Sequence, residues 1–162
     1  MSDLDRLVAS TGSDEGYKAG PYQDTKKLWT FGEGRCLETH PLSGAEWKHL
    51  LDNGMLALTI IRAGADWLMR TQLLAIEKQL SEDYSQFWWF IGDARQNALI
   101  EMAFQMGVEK EEAFHVTLAA LRDARYVDAK KAALDSDWAR ETPARAARVA
   151  EELATGEFTP TP

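Results

Sequence analysis

The sequence has 162 residues, of which 45% are apolar and 27% charged, and its formal net charge is −8. This length suits one domain or two small lobes, and the composition is that of an ordinary globular protein. The acidic balance argues against nucleic acid and against anionic membrane surfaces as partners, because both attract basic surfaces. No stretch is long and apolar enough to predict a membrane-spanning helix.

Two further features bear on the compartment in which the chain folds. Cys36 is the only cysteine, so an intrachain disulfide is excluded and the fold does not depend on an oxidising compartment. The first ten residues, MSDLDRLVAS, carry no apolar stretch behind a basic start. We therefore expect no secretory signal.

The first 42 residues are punctuated by glycines and have short patterns. Residues 1–12 predict a short helix from the spacing of their apolar side chains. Residues 28–31, Leu-Trp-Thr-Phe, are typical of a strand between turn-forming residues. We expect a small antiparallel sheet of two or three strands, which must pack on a helix because it would be marginally stable alone.

Residues 43–158 predict one helix after another, including a long helical segment from about 55 to 80. Small polar residues and proline mark helix starts, and glycine marks helix ends. The predicted starts and stops are, in chain order, Ser43 with Glu46 as a capping box, Asp93 with Gln96, Gly107, Thr142 with Pro143, and Gly156.

Together these patterns predict an α+β, mostly helical fold. A small antiparallel β-sheet lobe is expected over about 13–60, and a larger all-helical lobe over about 61–158 together with the first helix, 1–12. A cleft between two such lobes is the expected ligand site. The tail, 159–162, is predicted to be extended and loose.

Residues 13–34 read SDEGYKAGPYQDTKKLWTFGEG and place Glu15 and Asp24 nine positions apart. With 26 acidic residues in the chain, this spacing is not informative alone. However, Glu-Gly, Tyr-x-Asp-Thr and Thr-x-Gly-x-Gly occur in this order, at the spacing of a known family and without an insertion or deletion. This combination resembles the N-terminal signature of glycoside hydrolase family 24, the family of T-even phage lysozyme-like endolysins.

The resemblance returns in the second half of the chain. Residues 104–107, FQMG, are similar to the end of a family helix at the cleft. Residues 135–149, DSDWARETPARAARV, with the Thr-Gly at 155–156, resemble the C-terminal signature. The similar segments cover 13–36 and about 93–158, whereas 43–92 fits the family only loosely.

The resemblance implies a lysozyme-like fold and hydrolysis of the β-1,4 bond between N-acetylmuramic acid and N-acetylglucosamine. Glu15 is then the general acid, Asp24 positions or activates water, and Thr30 helps to hold that water. Such chemistry needs one protonated and one ionised carboxyl group. Inversion, which the family implies, predicts a separation of roughly 6.5–9.5 Å between them. We expect neither a metal ion nor an organic cofactor.

Six further residues are expected to bind substrate: Gly34, Phe104, Gln105, Thr117, Trp138 and Arg145. The resemblance implies that Arg145 pairs with the acid. Trp138 and Phe104 either line the cleft or belong to the core. Gln105 and Thr117 either bind sugar hydroxyl and N-acetyl groups or have helix-capping or surface roles.

Some features depart from the family pattern. Arg35 replaces a histidine found in many relatives, which removes a possible structural ion pair. Lys26 and Lys27 replace a glycine-containing turn, so the hairpin tip is expected to differ in shape. The aromatic run 87–90 is expected to pack in the helical lobe, with an exposed sugar-stacking platform as the minor alternative.

The expected partner is bacterial peptidoglycan, and the expected state is a monomer without membrane insertion. Lacking a signal, the chain would be made in the host cytoplasm. It would then reach the wall in the periplasm by a holin-dependent path, or act as part of a virion. The alternative is a catalytically inactive lysozyme-like module that binds glycan or serves a structural role in a virion. The intact set of Glu15, Asp24 and Thr30 favours the enzyme.

Overall fold

The computed structural model describes residues 3–56, 62–108 and 114–159. Contacts between Cα atoms divide the chain into two units. We call Val8–Gln72 the sheet unit, and Leu73–Pro162 together with Met1–Leu7 the helical unit. The division into lobes expected from the sequence stays a prediction, and residues 57–61 at its boundary lie outside the described residues.

The sheet unit follows the predicted order of a first helix, a small antiparallel sheet and further helix. Its elements are α1 (Leu4–Glu15, which starts in the helical unit), β1 (Lys18–Gln23), β2 (Trp29–Gly32), β3 (Arg35–Cys36), α2 (Gly44–Asp52) and the first half of α3 (Arg62–Asp83). The strands lie in the order β1–β2–β3. Thr30 at the centre pairs with Tyr22 on one side and Cys36 on the other. The expected small antiparallel sheet is therefore confirmed, and it has three strands.

The core of the sheet unit joins the sheet to both helices that follow it. Phe31, Leu50 and Leu68 form its buried centre, one from β2, one from α2 and one from α3. The predicted capping box starts α2: Ser43 N–H donates to Glu46 Oε2 at 2.8 Å, and Glu46 N–H donates to Ser43 Oγ at 3.2 Å. The cap fixes the direction in which the chain enters α2.

Arg35 corrects one expectation, since it forms the structural ion pair whose loss was predicted. Its Nη2 lies 3.0 Å from Glu46 Oε1, and both side chains are 11% exposed. Its Nε donates to the carbonyl of His40 at 2.8 Å. The Arg35 guanidinium thus links the end of β3 to α2. Its several N–H donors make these contacts, whereas a histidine ring would offer a single donor nitrogen for the ion pair.

The helical unit contains the remaining helices. They are the second half of α3, a 3₁₀ turn (Trp88–Phe90), α4 (Asp93–Met106), α5 (His115–Arg122), α6 (Tyr126–Leu134), α7 (Asp137–Glu141) and α8 (Pro143–Thr155). The fully buried large side chains of this unit are Leu7 in α1, Leu73 and Leu80 in α3, Trp88 in the 3₁₀ turn, Leu99, Ile100 and Met102 in α4, Leu121 in α5 and Leu153 in α8. The α+β, mostly helical fold class is confirmed, and none of the described helices is long and apolar enough to cross a membrane.

The predicted helix ends are mostly confirmed. Gly107 (φ +86°) and Gly156 (φ +74°) follow the last residues of α4 and α8, and Pro143 occupies the first turn of α8. The prediction for Asp93 was wrong: it is the first residue of α4, whose N-cap is Gly92. Thr142 holds the N-cap position, but its hydroxyl donates to Trp138 O at 3.0 Å and does not cap the helix.

The aromatic run divides between core and surface. Phe87 and Trp88 are buried, as expected, whereas Trp89 and Phe90 are 62% and 82% exposed. The short 3₁₀ turn explains the difference, because three consecutive side chains on it must point in different directions. Of the predicted loose tail, Thr159 donates its N–H to Glu152 Oε1 at 3.0 Å. Residues 160–162 lie outside the described residues.

Candidate active site

Glu15 is the last residue of α1, and two glycines determine where its carboxylate lies. Gly16 (φ +71°) has the left-handed conformation that ends the helix, and its N–H donates to Gly12 O at 3.0 Å. The side chain lies against Gly34, in the turn between β2 and β3: a β-carbon on Gly34 would stand 3.1 Å from Glu15 Oε2. The carboxylate therefore occupies space that a side chain at position 34 would take.

Asp24 directly follows β1 and is held by the turn that it begins. Its Oδ1 accepts hydrogen bonds from the N–H groups of Lys26 (2.8 Å) and Leu28 (2.9 Å). Lys27 adopts the left-handed conformation (φ +61°), which closes the turn. Oδ2 has no hydrogen-bond partner among the described residues, so this side chain offers one fixed, available carboxylate oxygen.

Thr30 lies at the centre of the sheet, opposite the end of β1. It is 3% exposed, and its hydroxyl lies 3.3 Å from Leu28 O, to which it donates. A threonine hydroxyl has one donor and two acceptor sites. The O–H of Thr30 is used by Leu28 O, a residue that also closes the Asp24 turn. The oxygen of the Thr30 hydroxyl can therefore still accept a hydrogen bond from another group.

The pKa of Tyr22 depends on the charges of both Glu15 and Asp24. Its pKa is raised above 10.0, first by burial and then by the negative charges of Glu15 and Asp24. It pairs directly with Thr30 across the sheet. Sequence reasoning did not single out this tyrosine, although its position in the Tyr-x-Asp motif was the signal that could have identified it.

Cys36, on the other side of Thr30, is a second group near Asp24. Hydrogen bonding from the Thr39 side chain lowers the pKa of the Cys36 thiol, whereas burial and the charge of Asp24 act in the opposite direction. The Asp24 charge therefore acts on side chains of both outer strands. Across the part of the chain that the structure describes, no group of three or more His, Cys, Asp and Glu residues could hold a metal ion.

Glu33 is a buried acidic residue that sequence reasoning missed. It lies in the turn between β2 and β3, where the Gly-Glu-Gly pattern is typical of exposed chain, yet its side chain is only 1% exposed. Arg62 Nη2 lies 2.6 Å from its Oε1. Burial raises the pKa of Glu33 to about 7, with Arg62 lowering it and Asp66 raising it.

Two of the predicted substrate-binding residues in the helical unit contact each other. The indole N–H of Trp138 donates to Gln105 Oε1 at 2.5 Å. Trp138 is 6% exposed, and the ring of Phe114 meets it edge to face, with centroids 6.2 Å apart. Trp138 is thus mainly a packed residue that orients Gln105, which is itself half-buried at the end of α4.

The other three occupy separate places on the helices. Thr117 is buried on α5 and lines a cavity of about 160 Å³ together with Phe114, Val116, Ala132, Asp135 and Ser136. Phe104 and Arg145 are half-buried, on α4 and α8. The pairing of Arg145 with the acid, and the separation between the two catalytic carboxyl groups, stay predictions.

Comparison with known proteins gives this geometry a context. The family model described as phage lysozyme matches residues 12–151. The chain belongs to the phage lysozyme family. The fold and the family expected from the N-terminal and C-terminal motifs are therefore confirmed.

The chain is also similar to two proteins of known name. The chain is 28% identical over 154 residues to the pre-baseplate central spike protein Gp5 of Enterobacteria phage T4, covering 90% of this chain but only 27% of that protein. It is 27% identical over 153 residues to probable T4-type lysozyme 1 of Dictyostelium discoideum, covering 88% of this chain and 90% of that protein. The region similar to this chain thus forms nearly the whole of one relative and about a quarter of the other.

Proposed function

We propose that this chain is a muramidase that hydrolyses the β-1,4 bond between N-acetylmuramic acid and N-acetylglucosamine in bacterial peptidoglycan. Glu15 acts as the general acid, and Asp24 with Thr30 directs the attacking water. The observation that supports this assignment best is that the phage lysozyme family model matches residues 12–151, a range that includes all three of these residues. The charges of Glu15 and Asp24 both raise the pKa of Tyr22, which is consistent with their lying near each other. Two carboxyl groups on either side of one sugar bond are what glycoside hydrolysis requires.

Glu15 suits the role of acid because its surroundings fix its position. Its carboxyl group rests against the backbone of Gly34, and Gly16 ends the helix directly after it. A general acid must lie within hydrogen-bond reach of the atom that it protonates. In the proposed reaction, Glu15 gives its proton to the glycosidic oxygen as the bond to the sugar carbon breaks.

Asp24 and Thr30 suit the handling of water because their hydrogen bonds complement each other. Oδ1 of Asp24 is occupied by two backbone N–H groups, which leaves Oδ2 to accept a hydrogen bond from a water molecule and to take that proton as the water attacks. The Thr30 hydroxyl donates to Leu28 O and can accept a hydrogen bond from the other O–H of the water, which stays on the new sugar hydroxyl. A water held in this way keeps a lone pair for attack on the sugar carbon, on the face opposite the acid, which gives inversion.

A second candidate is a lysozyme-like module that binds glycan within a virion without cutting it. The similarity to a phage spike protein favours this alternative, because the matched region is only part of that protein. Under the enzymatic proposal, the same similarity is compatible with local wall penetration by a virion as well as with lysis of the host. The two candidates differ in whether the purified chain releases new sugar ends.

The deciding experiment measures reducing ends and product masses released from purified peptidoglycan. The wild-type chain is compared with Glu15→Gln, with Asp24→Asn, and with Glu82→Gln as a matched exposed control on α3. We expect hydrated reducing products from the wild type and the control, and a loss of a hundredfold or more, roughly, in Glu15→Gln. Glycan binding without product release in the wild type would support the binding module instead. Anhydro sugar ends would indicate a lytic transglycosylase.

A further inference from the structure

Glu33 lies in a turn, yet its carboxylate is buried, which is unusual for an acidic side chain in a turn. Connecting segments normally expose their polar side chains to water. Here the side chain turns inward and is 1% exposed. The Glu33 carboxylate contacts Arg62 and interacts with Asp66 of α3, whereas the buried hydroxyl of Thr11 on the facing helix has no hydrogen-bond partner among the described residues.

Glu33 and Glu15 form a reciprocal pair of contacts between α1 and the turn. The carboxylate of Glu33, from the turn, lies against Gly12 of the helix, where a β-carbon would stand 2.8 Å from Oε1. The carboxylate of Glu15, from the helix, lies against Gly34 of the turn at 3.1 Å by the same measure. Each glutamate therefore fills the space that a glycine leaves on the other segment.

The start of α3 completes the arrangement. Arg62 contacts Glu33 Oε1 at 2.6 Å and Asp66 Oδ1 at 3.1 Å, while its guanidinium carbon lies 5.4 Å from the centroid of the Tyr17 ring. The groups that face Glu33 are thus Arg62 and Asp66 from α3, and Thr11 and Gly12 from α1. Glu15 is the titratable residue that follows Gly12 by one turn of the helix.

Only the ionised form of Glu33 attracts Arg62 electrostatically. Burial disfavours that form and raises the pKa of Glu33 to about 7, so the ion pair forms as the pH rises through neutrality. Ionisation of Glu33 therefore lowers the stability of the fold, and the ion pair with Arg62 offsets part of this cost while it links the turn to α3.

We propose that Glu33 is a positioning residue for Glu15: its carboxylate, held by Arg62, fixes the turn against the last turn of α1 and so fixes the Glu15 carboxyl over Gly34. The proposal rests on Glu15 being the general acid. Glu33 itself does not touch substrate in this scheme. Its effect is on kcat, because a misplaced acid slows bond cleavage after the glycan has bound.

The kinetic test compares wild type with Glu33→Gln, Arg62→Met and Arg62→Lys on peptidoglycan. We expect kcat at pH 8 to fall between about tenfold and a hundredfold in Glu33→Gln and in Arg62→Met, with KM unchanged. Arg62→Lys keeps the cation and retains most of the wild-type kcat. The ratio of wild-type to Glu33→Gln kcat rises from about pH 6 to pH 8, as Glu33 ionises.

Stability measurements separate positioning from a general loss of structure. At pH 8, Glu33→Gln removes a buried charge and raises Tm, whereas Arg62→Met leaves that charge without its partner and lowers Tm. Two variants with opposite shifts in Tm and the same loss of kcat cannot be explained by stability alone. A loss of kcat that follows Tm in both variants overturns the proposal.

A measurement independent of catalysis distinguishes this proposal from the proposed function. The ¹³C resonance of the Glu15 carboxyl, assigned with Glu15→Gln, is followed from pH 4 to pH 9 in wild type, Glu33→Gln and the control Glu82→Gln. We expect an inflection near the Glu33 titration in wild type and in the control, and its loss in Glu33→Gln. If the inflection is absent from the wild type, the proposal is wrong. If it is present in a chain that does not cut peptidoglycan, the positioning stands and the proposed function fails.

Discussion

The carboxylate of Glu15 and the backbone of Gly34 occupy adjoining space, with Oε2 only 3.1 Å from where a β-carbon on residue 34 would stand. Gly34 also has a positive φ of +83°, which disfavours any other residue. Glycine is therefore favoured at position 34 both by the lack of space for a side chain and by the positive φ of the backbone. These two effects can be separated by experiment.

Replacement of Gly34 by alanine is expected to lower activity on peptidoglycan by more than its effect on stability explains. The strained conformation costs roughly 1–2 kcal/mol in unfolding free energy. The added methyl group also pushes the Glu15 carboxyl away from its position. Gly54→Ala is the matched control, because Gly54 has φ +65° and nothing within 4 Å of an added β-carbon. Equal losses of activity in the two variants would show that Glu15 does not depend on this contact.

The unfolding free energy is expected to fall as the pH rises from about 5 to 8. Burial raises the pKa of Glu33, and likewise that of Glu152, to about 7 from an ordinary 4.5. For an acid whose pKa is higher in the folded state, the stabilising proton is bound at low pH and is lost as the pH rises through the folded-state value. Each group accounts for up to about 3 kcal/mol.

Urea unfolding at pH 5 and pH 8 checks this expectation. Glu152→Gln, which keeps an oxygen to accept the Thr159 N–H, should remove about half of the pH dependence, and Glu82→Gln should remove none. Stability that increases between pH 5 and pH 8 would mean that neither carboxyl group is protonated in the folded protein.

Loss of the Arg35 side chain is expected to destabilise the fold without changing the chemistry. Burial alone would raise the pKa of Glu46, but hydrogen bonds from Ser43 and the Arg35 guanidinium lower it below its ordinary value. Arg35→Met leaves the Glu46 carboxylate buried and without its cation, which costs about 3 kcal/mol. Chemical unfolding measures the cost, and kcat at a temperature far below Tm should stay at the wild-type value. Unchanged stability would show that the pair contributes nothing net.

Removal of the charge of Glu15 or of Asp24 is expected to lower the pKa of Tyr22. The charges of Glu15 and Asp24 both oppose formation of the tyrosinate. Glu15→Gln and Asp24→Asn should therefore each move the ultraviolet titration of this residue to lower pH, identified by its absence in Tyr22→Phe. Glu82→Gln serves as the control. A titration that does not move in either variant would place the phenol outside the reach of both carboxylates.

The sequence predicted those parts of the fold that depend on local chemistry. The capping box of Ser43 and Glu46 and the helix-ending glycines 107 and 156 were correct, because their signals lie within a few residues of one another. Asp93 failed because the neighbouring Gly92, with φ +82°, takes the N-cap position. The family motif predicted the lysozyme-like fold and indicated which residues to expect in catalysis.

What the sequence could not predict depends on contacts between distant segments. Glu33 lies between two glycines and has the pattern of an exposed turn, yet Gly12 and Arg62, 21 and 29 positions away, enclose it. Arg35 finds Glu46 across a loop, so its ion pair left no pattern in the sequence. The exposure of Trp89 depends on the direction of one 3₁₀ turn, which composition does not specify.

The helical unit is built from two segments of the chain, Met1–Leu7 and Leu73–Pro162, which are separated in sequence by the sheet unit. Its first described residues and its last lie side by side: the Arg6 guanidinium sits 4.5 Å from the centroid of the Phe158 ring. A short linker from Thr159 to Asp3, with new ends opened in the turn after Asp52, would give a circular permutant in which helices from opposite ends of the chain become neighbours in sequence. Such a permutant closes a shorter loop when the helical unit forms, so it should fold faster than the natural order of segments.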